Sequence, residues 1–177
     1  MTARSALLFV IGLWLGCTVF MWLVATQNFA VVDAIRSADN SELSATAPEL
    51  SPENLRLVLR YQASEVNRLF FNGWGLAQLP IALAAIVLAW RAKLSRVPLV
   101  LIAIMVVIVV ALQAYVVPET IRLGRLLDFV PREPAPPEAA PFWRLHHTYT
   151  GLDMLKFLLG LAAAWLTARG AGKPQSA

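Results

Sequence analysis

The sequence predicts an all-α membrane protein: a four-transmembrane-helix bundle with helices 2 and 3 extended beyond the outer face. Three observations predict it. Of the 177 residues, 58% are hydrophobic and only 15% charged, where a soluble domain carries about a quarter charged residues. The apolar residues gather into four stretches, at about 5–26, 69–90, 97–117 and 148–168, each close to the ~20 residues a helix needs to cross a bilayer. Six basic residues and no acidic ones fall in three short segments on one side of these stretches: Arg4, then Arg91, Lys93 and Arg96, then Arg169 and Lys173. The rest of the chain holds 9 basic and 11 acidic residues. That sorting is the positive-inside pattern. It predicts a single membrane domain over 1–177 in the cell (inner) membrane, both termini cytoplasmic, a cytoplasmic turn at 91–96, and outer loops at 27–68 and 118–147. The net charge of +4 comes from the three basic segments, so it reads as an orientation signal and excludes nucleic acid as the partner class.

The first stretch, Ser5 to Thr26, is 22 residues, longer than the h-region of a signal peptide. Trp14-Leu15-Gly16-Cys17 carries a bulky residue where a lipoprotein cleavage site needs a small aliphatic one, so an uncleaved helix is expected. Cys17 is the single cysteine and permits no intrachain disulfide. Gly12 and Gly16 form a G-x-x-x-G, which lets a neighbouring helix approach closely, although glycine is common in membrane helices. Residues 27–51 are polar and turn-rich and read as a loop.

Ser51-Pro52-Glu53 is a helix start: a capping hydroxyl, proline at the first position and an acid in the first turn. No breaker follows before Trp90 except Pro80, so a helix of 39 residues, about 58 Å long at 1.5 Å per residue, is expected. Only about 30 Å fits in hydrocarbon. Its first half therefore projects outside, carrying Arg56, Arg60, Glu65 and Arg68. Pro80 is expected to kink the membrane half. The third helix is expected over Val97–Phe129, interrupted by Pro118 at the outer boundary, with Glu119, Arg122 and Arg125 on one side of its extension. Glu65, Arg68, Glu119 and Arg122 thus form an outer-face charge cluster. Five prolines between Pro131 and Pro141 predict a non-helical, semi-rigid linker. The fourth helix starts near Pro141. Its uninterrupted apolar part, Phe157 to Thr167, is only 11 residues, about 16 Å, so spanning carries Lys156 and Asp153 into the hydrocarbon.

The inner basic residues serve as a ruler. Counting from them at 1.5 Å per residue, Gln78 and Lys156 lie about 20 Å up, Asp153 and Gln113 about 24–26 Å, and Asn72 about 28 Å. An isolated charge at such depth costs about 2.5–3.5 kcal/mol and faces the bundle interior or water. Two readings stand. Asp153 and Lys156, three apart on one helix face, form a self-neutralising pair with Lys156 snorkelling outward, or Gln78, Gln113, Asp153 and Lys156 line an outward-open polar pocket. His146 and His147 lie above that level, with His146, Thr150, Asp153 and Phe157 sharing a face. A histidine there is a proton acceptor, a metal ligand or an interfacial polar residue.

No CxxC, HExxH, phosphate-binding glycine loop or Gly-x-Ser-x-Gly elbow occurs. The two histidines are adjacent and point about 100° apart on a helix, so they cannot be the two axial ligands of one haem. Ligation by one histidine, by histidine with methionine, or across a homodimer stays open. The four methionines form no copper-binding cluster in sequence.

The last helix opens with Phe142-Trp143-Arg144-Leu145-His146-His147-Thr148-Tyr149, leading into Leu152-Asp153-Met154-Leu155-Lys156. Tyr115-Val116-Val117-Pro118 followed by Ile121 ends the third span. These segments resemble the F-x-x-L-H start of the last helix, and the tyrosine/proline exit from the third, in the transmembrane protein 205-like family (domain of unknown function 4149). The resemblance covers most of the chain. It departs in the long acidic outer loop and in His147, where a small residue is more usual. It implies a four-helix membrane fold and no settled activity. More distant look-alikes, the copper-resistance D-like proteins and haem-associated oxidases, imply haem b or copper as an alternative cofactor, held by His146. The leading reading is a non-enzymatic membrane component without a cofactor. Its partners are the lipid bilayer and a membrane or extracytoplasmic protein, with a homo-oligomer open.

Overall fold

A computed structural model describes residues 1–38, 41–46, 48–131 and 133–170. Lys173, part of the basic sorting, lies outside the described residues. The chain forms α1 (Ala3–Ser37), α2 (Ser41–Thr46), α3 (Pro52–Arg91), α4 (Arg96–Ala111), a π-helical turn (Leu112–Val116), α5 (Val117–Leu126) and α6 (Ala139–Arg169). Among the described residues there is no strand. Four helical runs are long and apolar enough to cross a membrane: α1, α3, the continuous run Arg96–Leu126, and α6.

The helix starts follow local chemistry. The Thr2 hydroxyl accepts from the Ser5 amide at 3.1 Å, and Ser51 accepts from the Asn54 amide at 3.2 Å, with Pro52 opening α3. Each cap pairs an amide that has no partner inside its helix. The turn from α3 to α4 takes four residues, and Lys93 adopts the left-handed region (φ 49°) to close it. The expected interruption at Pro118 takes the form of the π turn just before it, where the Val117 amide reaches back five residues to the Leu112 carbonyl. Proline has no amide to give the helix, and the wider turn absorbs the break without ending it.

Two expected boundaries are corrected. Residues 27–51 are not all loop, because α1 continues to Ser37. Nothing between Gln27 and Ser37 breaks a helix, and Asn28 and Val32 are held against the bundle: Asn28 donates to Asn67 at 2.5 Å, and Val32 is buried. The proline-rich stretch is helical at its end, because α6 begins at Ala139. Pro141 sits in the first turn, where a missing amide loses no intrahelical bond.

Side-chain pairs fix the packing. Trp14 meets Gln78 and Asn28 meets Asn67, so α1 and α3 run antiparallel. Trp22 meets Asp153 while Leu15 lies against Gly160, so α1 and α6 do the same. With α3 against α4 and α4 against α6, the four runs close into a ring. The start of α1, the α3–α4 turn and the end of α6 therefore gather at one end. The core there is Leu7, Ile11 and Trp14 of α1, Ala82, Ala85 and Ala89 of α3, Ile102, Met105 and Val109 of α4, and Ala163 of α6. Small residues on α3 and α6 face large ones on α1 and α4, which brings the helix axes close. Gly160 is one such contact: a Cβ there would stand 2.7 Å from Leu15 Cδ2 and 3.1 Å from Met105 Cε. Phe9, Leu83, Val107 and Leu158 point away from the bundle.

Candidate functional site

The inward stripe of α6 is Asp153, Lys156, Gly160, Ala163 and Thr167. Its alternating steps of three and four keep one seam turned to a neighbour. Thr150, expected on the face of Asp153, is exposed instead, and its hydroxyl donates to the His146 carbonyl at 3.0 Å.

Lys156 is fully buried, and Asp153 and Gln78 are 2% exposed. The Lys156 ammonium donates to Asp153 Oδ1 and to Gln78 Oε1, each at 2.5 Å. Snorkelling is thus corrected: Lys156 turns inward, because its two acceptors lie inside the bundle and solvent does not. Two tryptophans missed at the sequence level complete the centre. Trp14 Nε1 donates to Gln78 Oε1 at 2.9 Å, and Trp22 Nε1 donates to the other Asp153 oxygen, Oδ2, at 2.7 Å. The Lys156 ammonium also lies 5.9 Å from the Trp14 ring centroid. The ruler could have found Trp22 had it been applied to obligatory donors as well as charges, whereas Trp14, about 15 Å up, counts below that level. Trp22 lies 18 residues past Arg4, about 27 Å, beside Asp153 in depth.

The centre joins α1, α3 and α6, and it is closed. Each charged atom named meets a polar atom of the protein, so the residues that were expected to line an open pocket instead fill the space between helices. Gln113 stands apart from the other three. Its Nε2 reaches Asn72 Oδ1 at 3.3 Å, its Oε1 is buried without a partner, and its side chain fills a notch over Gly75. The reason is rotational: the π turn that contains Gln113 shifts the register of the third run just where Gln113 would have to face α6.

The charge cluster is also rearranged. Arg68 binds both oxygens of Asp128, at 2.7 and 2.9 Å, and Glu65 at 2.6 Å, while Arg125 reaches Glu65 at 3.5 Å. Glu119 and Arg122 pair only with each other within this set, at 2.6 and 2.8 Å, one turn apart on α5. Asp128 is the residue the sequence reading lacked. Its place just past α5 brings it to α3 only through the tertiary fold.

His146 and His147 lie at the far end of the bundle from the α3–α4 turn, in an aromatic nest. Their ring centroids are 6.0 Å apart. His146 stacks on Phe142 at 6.1 Å, and Trp143 is 5.5 Å from it edge-on. Beside His146 is a cavity of about 150 Å³ between α1, α3, α5 and α6, walled by Phe29, Phe71, Phe142 and Tyr149. Phe71 meets Tyr149 edge-to-face at 5.1 Å. A space of this volume takes about one benzene-sized ring, and His146 at its edge is itself exposed. Among the described residues no three of His, Cys, Asp and Glu are grouped as metal ligands.

Comparison of the chain with protein-family models, curated proteins and solved structures gives no match.

Proposed function

We propose that this chain is a non-enzymatic multi-pass membrane component, similar to the transmembrane protein 205-like group, whose working surface is the end of the bundle away from the α3–α4 turn. In this reading it lies in the cell (inner) membrane with both termini cytoplasmic. α3 and the Arg96–Leu126 run extend beyond the outer face and form a cap with the end of α1. The cap is the part that meets a ligand or an extracytoplasmic partner.

The observation that carries the reading is the contrast between the two polar regions. At the centre, Lys156, Asp153, Gln78, Trp14 and Trp22 satisfy one another inside apolar packing. Such a centre holds three helices in register and leaves no group aimed at a reactant. At the cap end, the ion pairs of Arg68 and the aromatic cavity beside His146 lie together. The basic sorting supports the orientation, since the start of α1, the α3–α4 turn and the end of α6 share one end.

Cysteine-accessibility labelling tests it. With Cys17 replaced by Ala, Ser95→Cys reacts with a membrane-impermeant maleimide only after the membrane is broken, and Glu138→Cys reacts in intact cells. The reverse pattern would sink the orientation and with it the cap as an outer surface. The same preparation should be colourless and free of stoichiometric metal. A Soret band lost in His146→Ala would replace this reading with the haem alternative.

A further inference from the structure

The polar groups around the cap-end cavity divide into two sets. The first is already spent. Asn67 accepts from Asn28 at 2.5 Å and donates to the Ala25 carbonyl at 3.2 Å. Arg68 is held by Asp128 and Glu65. Thr120 donates to the Val116 carbonyl at 2.6 Å. The second set retains its capacity. Ser64, His146 and Tyr149 line the same cavity, and among the described residues none of these three side chains makes a hydrogen bond. Three uncharged side chains with hydrogen-bonding capacity thus border a slot with aromatic walls.

Size and charge narrow what fits. The volume of about 150 Å³ matches one six-membered ring with small substituents. Among the described lining residues Arg68 is the one cation, and two carboxylates neutralise it; Arg60 lies behind the wall, over the Phe29 ring. A purely apolar ring would offer half-buried Tyr149 no partner, while exposed His146 keeps its access to solvent. A ring carrying oxygen would pair with them while its faces lie against Phe71 and Phe142. We infer that the cavity between α1, α3, α5 and α6 binds a single uncharged ring bearing hydrogen-bonding oxygen, of the phenol or quinone class, with Tyr149 and His146 as its hydrogen-bonding contacts.

Two sources supply this chemistry: a free phenol, and the head of a membrane-resident quinone. The inference rests on the cap end being the working end, but not on which side of the membrane that end faces. Calorimetric titration of the full chain in detergent with phenol, benzene and a decyl-substituted dimethoxybenzoquinone tests it. Binding of phenol or the quinone is expected, weakened about fivefold by Tyr149→Phe, as for loss of one hydrogen bond, with benzene unaffected by that change. Ser64→Leu, which fills the cavity, should abolish binding of all three. Phenol without the quinone assigns a free ligand, and the quinone assigns a membrane one. Two results overturn the inference: no saturable binding of either oxygenated ring, or equal binding of phenol and benzene that ignores Tyr149→Phe. Neither bears on the cysteine labelling, so failure here and failure of the orientation are told apart.

Discussion

Lys156→Met is the most informative single change. It keeps the length and volume of the side chain and removes its charge. In the native centre the ammonium has zero exposure and makes two contacts of 2.5 Å, to Asp153 Oδ1 and Gln78 Oε1. Without it, Gln78 still accepts from Trp14, and Asp153 keeps one donor, Trp22 Nε1. The other carboxylate oxygen is left bare in an apolar interior. Breaking a buried pair by removing one partner costs about 3–5 kcal/mol. Asp153→Asn keeps an acceptor for Trp22 and leaves the ammonium facing Gln78 alone, at a cost of similar order. The double variant has no charge to strand. It forfeits the two hydrogen bonds of the ammonium, about 1–3 kcal/mol together. The two single costs should therefore exceed the double by several kcal/mol, where independent sites agree within about 0.5 kcal/mol. Unfolding of the four proteins in mixed micelles with increasing dodecyl sulfate, followed by circular dichroism, gives the cycle. A coupling below about 0.5 kcal/mol would refute the claim that the pair is one closed unit.

Two further expectations use the same unfolding assay, and a third uses hydrogen exchange. Gln78→Leu leaves Lys156 and Trp14 without their shared acceptor and should destabilise by about 2–3 kcal/mol, while Gln113→Leu should stay within about 0.5 kcal/mol; equal effects would return Gln113 to the centre. Gly160→Val drives a side chain into Leu15 and Met105, whose atoms stand 2.7 and 3.1 Å from a Cβ; a loss of about 1–3 kcal/mol is expected, and a neutral result would mean α1 and α6 are not in contact there. Asp128→Ala strips Arg68 of its bidentate partner and should raise hydrogen exchange in α5 and the adjoining part of α3 while the α3–α4 turn end stays protected; uniform exchange along both helices would count against a separately held cap.

Much of the architecture was legible in order of locality. Pro52 behind Ser51, the apolar run after Arg96 and the break at Pro118 each act within one or two turns, so the residues themselves predict those helices. The errors lie where a distant contact decided. Gln27 to Ser37 read as part of the polar, turn-rich stretch that follows them, yet six of these eleven residues are apolar, and Asn67 on α3 holds Asn28 against the bundle as helix. Depth counting brought Gln78, Asp153 and Lys156 to one level, and they do meet. It also brought Gln113 there, because depth carries no information about rotation around the helix axis.

The sequence by itself determined four apolar helices, most of their ends, and the common level of Gln78, Asp153 and Lys156 along them. These follow from hydrophobic length, proline and capping chemistry, which are properties of adjacent residues. Only the tertiary structure decided which polar groups touch. A π turn of five residues turned Gln113 away, two tryptophans more than sixty residues distant in sequence supplied the missing donors, and Asp128 reached Arg68 across the cap. Pairing depends on azimuth and helix adjacency, and both are set when the four runs close into a ring.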